Sequence, residues 1–92
     1  FLLLMWAVIV RIDGYTEKTG FTLRDMLRAE ISNHIIRKGG EVFVVSDSSK
    51  FGKTGLTSIC QLCEIHHIAT DIHLKSEFRQ AFEKAGIDLI LA

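Results

Sequence analysis

The stretch Val42-Phe43-Val44-Val45-Ser46-Asp47-Ser48-Ser49-Lys50-Phe51-Gly52 decides the fold. Its first four residues are β-branched or aromatic and carry no polar group, which is the composition of a short buried strand. The chain then passes directly into a polar loop, Ser46 to Gly55, rich in Ser, Asp and Gly. In an open parallel sheet, ligands sit in the crevice beyond the carboxyl ends of the strands. That placement makes the loop a candidate site. Lys50 offers a point charge to an anion, and Gly52 and Gly55 let backbone N–H groups come close to it. Asp47 has two readings: it accepts hydrogen bonds from a ligand and holds Lys50, or it simply caps a turn while Lys50 stays in solvent.

Working upstream, Leu2 to Ile12 is apolar almost throughout and reads as one strand of a sheet covered on both faces. Asp13-Gly14-Tyr15 and Lys18-Thr19-Gly20 carry turn chemistry. Asp13 and Gly14 close the first strand and so are candidates to line the same crevice, although a plain tight turn, with Asp and Gly in their usual places, is the simpler reading. Thr22 followed by Asp25 resembles a capping box. Leu23, Leu27, Ile31 and Ile35 recur every fourth residue and predict a helix that buries this stripe. Arg37, Lys38, Gly39 and Gly40 supply its end.

Downstream, Leu56 to Ile65 is ambiguous between a short helix and a turn. Ile65 to Thr70 reads as a third strand interrupted by His66 and His67. Ser76 to Ala85 is a helix with Phe78 and Phe82 one turn apart, Gly86 stops it, and Ile87 to Leu91 is a closing strand. Strands alternating with helices predict an α/β fold, mainly a parallel sheet with flanking helices.

Ninety-two residues allow one small domain or a piece of a larger one. Eleven basic residues balance eleven acidic ones. DNA binding draws its affinity from phosphate neutralisation, so a neutral chain without a basic stripe is a poor DNA binder on its own. The apolar run at Phe1 to Val10 is too short to span a bilayer and lacks the flanks of a signal peptide. Two cysteines do not make a secreted disulfide framework, and a reducing cytoplasm follows.

Other chemistry is weaker. Gly52-Lys53-Thr54 resembles the end of a nucleotide phosphate loop, but the required first glycine is Asp47, whose carboxylate repels phosphate. Cys60, Cys63, His66 and His67 invite a zinc or redox reading. They are crowded into eight residues that must also form an apolar element, so ordinary thiols are expected and no metal or cofactor is assigned. No nucleophile and base stand together, so no catalytic residues are assigned.

Strand plus Asp-x-Ser-Lys-Phe-Gly resembles the signature of the C-terminal sensor domain of DeoR-family bacterial transcriptional repressors. Leu62-Cys63-Glu64-Ile65, Thr70-Asp71 and Ala85-Gly86-Ile87 follow in the order of that family, as do Asp13-Gly14-Tyr15 and Gly20-Phe21-Thr22 upstream. The resemblance implies a ribose-phosphate-isomerase-like sensor fold, here incomplete, that binds a phosphorylated sugar or sugar alcohol through Asp47, Lys50, Asp13, Gly14 and Gly52. It implies self-association, a carbohydrate-utilisation operon as target, and DNA contact only through a helix-turn-helix domain that residues 1–92 do not contain. The family usually has a Glu and a Lys near the positions of Arg28 and Ser32. A truncated or degenerate gene product is a variant of this reading. The enzyme alternative is a sugar-phosphate isomerase-like fragment, for which Asp47, Asp71 and Asp13 are the candidate bases by residue type alone.

Overall fold

The computed structural model describes residues 2–3, 7–38 and 41–92. A five-stranded sheet has the order β1 (Leu2–Leu3), β2 (Ala7–Arg11), β5 (Glu41–Val45), β7 (His67–Thr70), β8 (Asp88–Leu91). The last four strands are parallel, and β1 pairs antiparallel with β2, Leu2 opposite Ile9. A second, antiparallel sheet has the order β3 (Gly14–Thr16), β4 (Gly20–Leu23), β6 (Thr57–Cys60). Two helices complete the described fold: α1 (Met26–Arg37) and α2 (Ser76–Lys84).

The α/β class and the parallel sheet match the expectation from the alternating pattern. Four details differ. The apolar run expected as one strand holds two, since β1 pairs antiparallel with β2. Gly14 and Tyr15 lie in a strand, β3, rather than a turn. Thr22 is a buried strand residue, and the cap of α1 is Asp25, whose Oδ1 accepts from the N–H groups of Leu27 (3.0 Å) and Arg28 (3.3 Å). The ambiguous segment is strand β6 followed by a 3-10 turn at Leu62–Glu64. The expected helix stop at Gly39 and Gly40 lies outside the described residues; the helix ends at Arg37.

The buried face of α1 also differs. Ala29, Ser32 and Ile36 point inward, while Leu27 and Ile31 are exposed. A start three residues later than Thr22 implies does not change the helical period. It is the second sheet that selects the face: Asn33 Nδ2 donates to the Ile59 carbonyl of β6 at 2.6 Å, which fixes the rotation of the helix. Replacing the cap, Asp25→Ala, is expected to lower stability by about 1 kcal/mol with an unchanged urea slope, read from denaturant unfolding.

One face of the large sheet carries the core. Val10, Val44 and Ile68 are adjacent in register and fully buried, and both helices and the second sheet pack on this side through Ala29, Ile36, Phe82, Phe21 and Ile59. Five rings knit the layers together: Tyr15 lies 4.5 Å from Phe21 and 5.4 Å from Phe82, and Phe82 lies 5.5 Å from Phe51 and 6.3 Å from Phe78. Offset and edge-on pairs of this kind add to plain burial.

At the amino end of the opposite face, His67 bridges three strands. Its Nδ1 contacts Asp88 Oδ2 at 2.9 Å, its Nε2 contacts Glu41 Oε2 at 2.8 Å, and its ring stacks on Phe43 at 4.2 Å. Both carboxylates accept from the imidazolium, so Asp88 first and Glu41 second raise the His67 pKa above the usual 6.5. The sign follows directly: the bridge stabilises fully below pH 6.5 and is lost as pH rises through the raised value. The stability difference between the protein and His67→Gln should therefore shrink with rising pH above about 6.5, as measured by urea unfolding across that range.

Candidate functional site

The carboxyl ends of β2 and β5 carry the two segments singled out in the sequence, and the second sheet holds them together. Gly52 N–H donates to the Tyr15 carbonyl at 2.7 Å, Tyr15 bridges Phe51 in parallel, and the Thr22 hydroxyl donates to the Gly14 carbonyl while accepting from Gly55 N–H at 2.7 Å. A Cβ on Gly14 would stand 2.4 Å from the Lys53 carbonyl oxygen. Gly14 is therefore required so that the loop backbone can lie against β3. Gly52 adopts φ +99°, a left-handed conformation that glycine accepts freely. Both glycines shape the loop, and neither lines the recess described next.

That recess, of about 200 Å³, is lined by Arg11, Ile12, Asp13, Arg28 and Lys50. Arg11 closes β2, Arg28 comes from the first turn of α1, and Lys50 ends the 3-10 turn Ser48–Lys50. Phe51, buried in the aromatic cluster, anchors the turn beside Lys50. Asp13 brings one negative charge against three positive ones, and its Oδ2 accepts the Arg24 N–H at 2.8 Å. Three cations against one engaged carboxylate make a recess suited to a compact anion. Two guanidinium forks and one ammonium supply both directional and point-charge contacts.

Asp47 lies apart from this recess. Its Oδ1 accepts the Ser49 N–H at 3.1 Å and the Ser49 hydroxyl, and it caps the turn. Ser49 is the main reason its pKa falls below the usual carboxylate value, with Lys50 a lesser one. Asp47 lines a neighbouring recess of about 320 Å³ at the ends of β5, β7 and β8, with Val45, Ser46, Ala69, Thr70, Asp71 and Ala92. Asp71 ties the two loops together: its Oδ2 accepts the Ser48 N–H and its Oδ1 the His73 N–H, both at 2.9 Å. The Ser48 bond is the largest cause of its lowered pKa. Both carboxylates are thus ionised at neutral pH and stand at the edge of a shallow, mainly apolar opening beside the cationic recess.

Of the predicted residues, Lys50 and Asp13 meet in one recess, Asp47 sits in the next, and Gly14 and Gly52 form the scaffold between strand and loop. Arg11 and Arg28 were not selected from sequence. Arg11 had a readable signal, a charge closing an otherwise apolar strand. Arg28 needed the helix to be placed. Among the described residues no group of His, Cys, Asp and Glu is arranged to hold a metal ion. Cys60 is buried, and desolvation pushes its thiol up to about 12, while Cys63 is exposed.

A parallel sheet with a recess beyond its carboxyl edge is the arrangement in which α/β folds commonly hold their ligands. Residues 5–72 match the DeoR C terminal sensor domain family, and the chain belongs to that family. It is 35% identical over 79 residues to the HTH-type transcriptional regulator IolR of Bacillus subtilis (strain 168), covering 86% of this chain and 32% of that protein. It is 28% identical over 82 residues to the putative sgc region transcriptional regulator of Escherichia coli (strain K12), covering 89% of this chain and 32% of that protein. The chain thus spans about a third of the length of these curated relatives.

Proposed function

We propose that residues 1–92 are the C-terminal part of the effector-sensing domain of a DeoR-family transcriptional repressor of a carbohydrate-utilisation operon. The effector is a phosphorylated sugar or sugar alcohol. The observation that carries this is the recess of Arg11, Arg28 and Lys50 at the carboxyl edge of the sheet, next to the shallow opening that Asp47 and Asp71 line. The phosphate sits among the three cations, and the hydroxyls face the two carboxylates and Asp13. Arg28 adds a second guanidinium to the recess.

DNA contact belongs to a separate helix-turn-helix domain of a family-length protein, consistent with the balanced charge of this chain. Effector binding shifts the population between DNA-bound and released states. The module works in the cytoplasm, where effector and operator meet; among the described residues no helix is long and apolar enough to cross a membrane. It acts as a sensor and not as an enzyme: the ionised Asp47 and Asp71 are engaged with backbone N–H groups, which leaves them poor general bases.

Calorimetric titration with a panel of phosphorylated sugars and sugar alcohols tests this. One of them should bind without turnover, and Lys50→Ala or Arg28→Ala should weaken it about 10- to 100-fold, the range for losing a charge-assisted contact. Lys84→Ala, on the far helix, should bind normally. Equal binding by Lys50→Ala, or conversion of a sugar phosphate by the purified chain, would overturn the reading.

A further inference from the structure

A further recess, of about 300 Å³, lies between the end of β3 and α2, and it shares no lining residue with the cationic one. Tyr15, Glu17, Leu62, Glu77, Phe78 and Ala81 line it. Tyr15 belongs to β3, and Glu17 stands in the turn that follows. Leu62 opens the 3-10 turn Leu62–Glu64, and the other three come from the first turns of α2. The volume falls at the lower end of the range for small-molecule sites, about 300–1,000 Å³.

Its walls are largely apolar and its charge is negative. The rings of Tyr15 and Phe78 meet edge to face, with centroids 6.2 Å apart and planes at 74°, and so form two adjoining walls. Both charged groups that line it are carboxylates, and among the described residues neither has an ion-pair partner. Tyr15 points to a ligand independently. It is only 4% exposed, with its ring packed among Phe21, Phe51, Phe78 and Phe82, yet its hydroxyl makes no hydrogen bond among the described residues. Buried phenol hydroxyls usually find a partner. Burial first, and the charge of Glu17 second, hold the Tyr15 pKa above its ordinary value, which puts the hydroxyl near Glu17 on the side of the recess.

We propose that this recess binds a small organic ammonium ion, its charged head at Glu17, Glu77 and the Tyr15 hydroxyl and its short alkyl body on Phe78, Leu62 and Ala81. A cation beside an aromatic face is attracted by the ring quadrupole, and carboxylates add charge-assisted hydrogen bonds. The same two carboxylates repel an anion, so a sugar phosphate does not belong here. An inorganic cation would leave the apolar walls unused, and among the described residues no group of His, Cys, Asp and Glu is arranged to hold a metal ion. The site goes beyond the effector reading and stands without it, because its ligand carries the opposite charge and the two recesses have no lining residue in common.

Backbone amide NMR spectra of the chain titrated with butylammonium chloride test it. Butanol serves as the neutral analogue, and sodium chloride at equal ionic strength as the charge control. Saturable shifts should fall on Tyr15, Glu17, Leu62 and Glu77 to Ala81 with butylammonium and with neither control. Glu17→Gln combined with Glu77→Gln should weaken binding about tenfold or more, as expected for lost charge-assisted contacts. Circular dichroism should not change, since both side chains are exposed. Tyr15→Phe keeps the ring and should weaken binding by a smaller factor. Nα-acetyl-lysine methylamide stands for a lysine of another chain and should bind no tighter than butylammonium; a clear preference for it would overturn the assignment to a free ligand. Equal shifts with butanol or sodium chloride, full affinity in the double variant, or no saturable shift at these residues would overturn the proposal.

Discussion

Phe82→Ala is expected to lose about 3–5 kcal/mol, most of the stability available to a domain of this size. Phe82 is fully buried and touches the rings of Tyr15, Phe51 and Phe78. It is the one residue of α2 that is fully buried, so truncating it removes the most buried contact joining that helix to β3 and the Lys50 loop and leaves only the outer ring of Phe78 there. The loss combines the transfer free energy of the ring with a cavity that its aromatic neighbours cannot close without leaving their own contacts. Chemical denaturation reads the first effect. The second should appear at the site: Phe51 loses its support, the turn ending at Lys50 loosens, and effector affinity falls even where the variant remains folded. A loss below about 1 kcal/mol would mean that α2 is not anchored by this cluster.

Gly14→Ala should cost about 1–3 kcal/mol or more, the range for forcing atoms into a packed interior, although the change adds one methyl group. The position does not need a left-handed backbone. Among the glycines with positive φ are Gly20, Gly52 and Gly86, and Gly14 is not one of them. The obstacle is space: the new methyl would lie 2.4 Å from the Lys53 carbonyl oxygen and 2.8 Å from its carbon, and backbone cannot swing aside as a flexible side chain can. Either β3 or the loop must move. Both carry the site, so stability and effector binding should fall together. Unfolding and calorimetry on the same preparation check this. A Gly14→Ala variant with normal stability would show that the loop does not pack on β3 this closely.

The parts of the fold that sequence revealed are those where a single local rule decided the outcome. Val42 to Val45 is apolar and β-branched, and it is a strand. Ser76 to Lys84 presents Phe78 and Phe82 on one side and ends before Gly86, and it is a helix. Where tertiary contact decided, sequence reading failed. The Leu23, Leu27, Ile31 and Ile35 stripe has helical period, yet the helix turns Ala29, Ser32 and Ile36 inward because small residues let it approach β6 closely. Thr57–Cys60 has two polar residues in four and looks unlike a strand, but β4 supplies its hydrogen-bond partners.

The site divides in the same way. Lys50 was legible because it follows a buried strand by five residues. Arg28 was not, since it joins the recess only once the first turn of α1 lies against the carboxyl end of β2, a tertiary placement. Asp13 and Asp47 look alike in sequence. The structure separates them, one beside the cations and one on the turn cap.

The most direct test of a cationic effector recess is residue-resolved: backbone amide NMR spectra of the chain titrated with the phosphorylated sugar that calorimetry selects, and with inorganic phosphate. The largest saturable shifts should fall on Arg11 to Asp13, Arg28 and Ser48 to Lys50, with Glu41 and Asp88 at the far end of the sheet unmoved. Shifts confined to that far end, or no saturable shift around Lys50 with any phosphorylated ligand, would contradict the account.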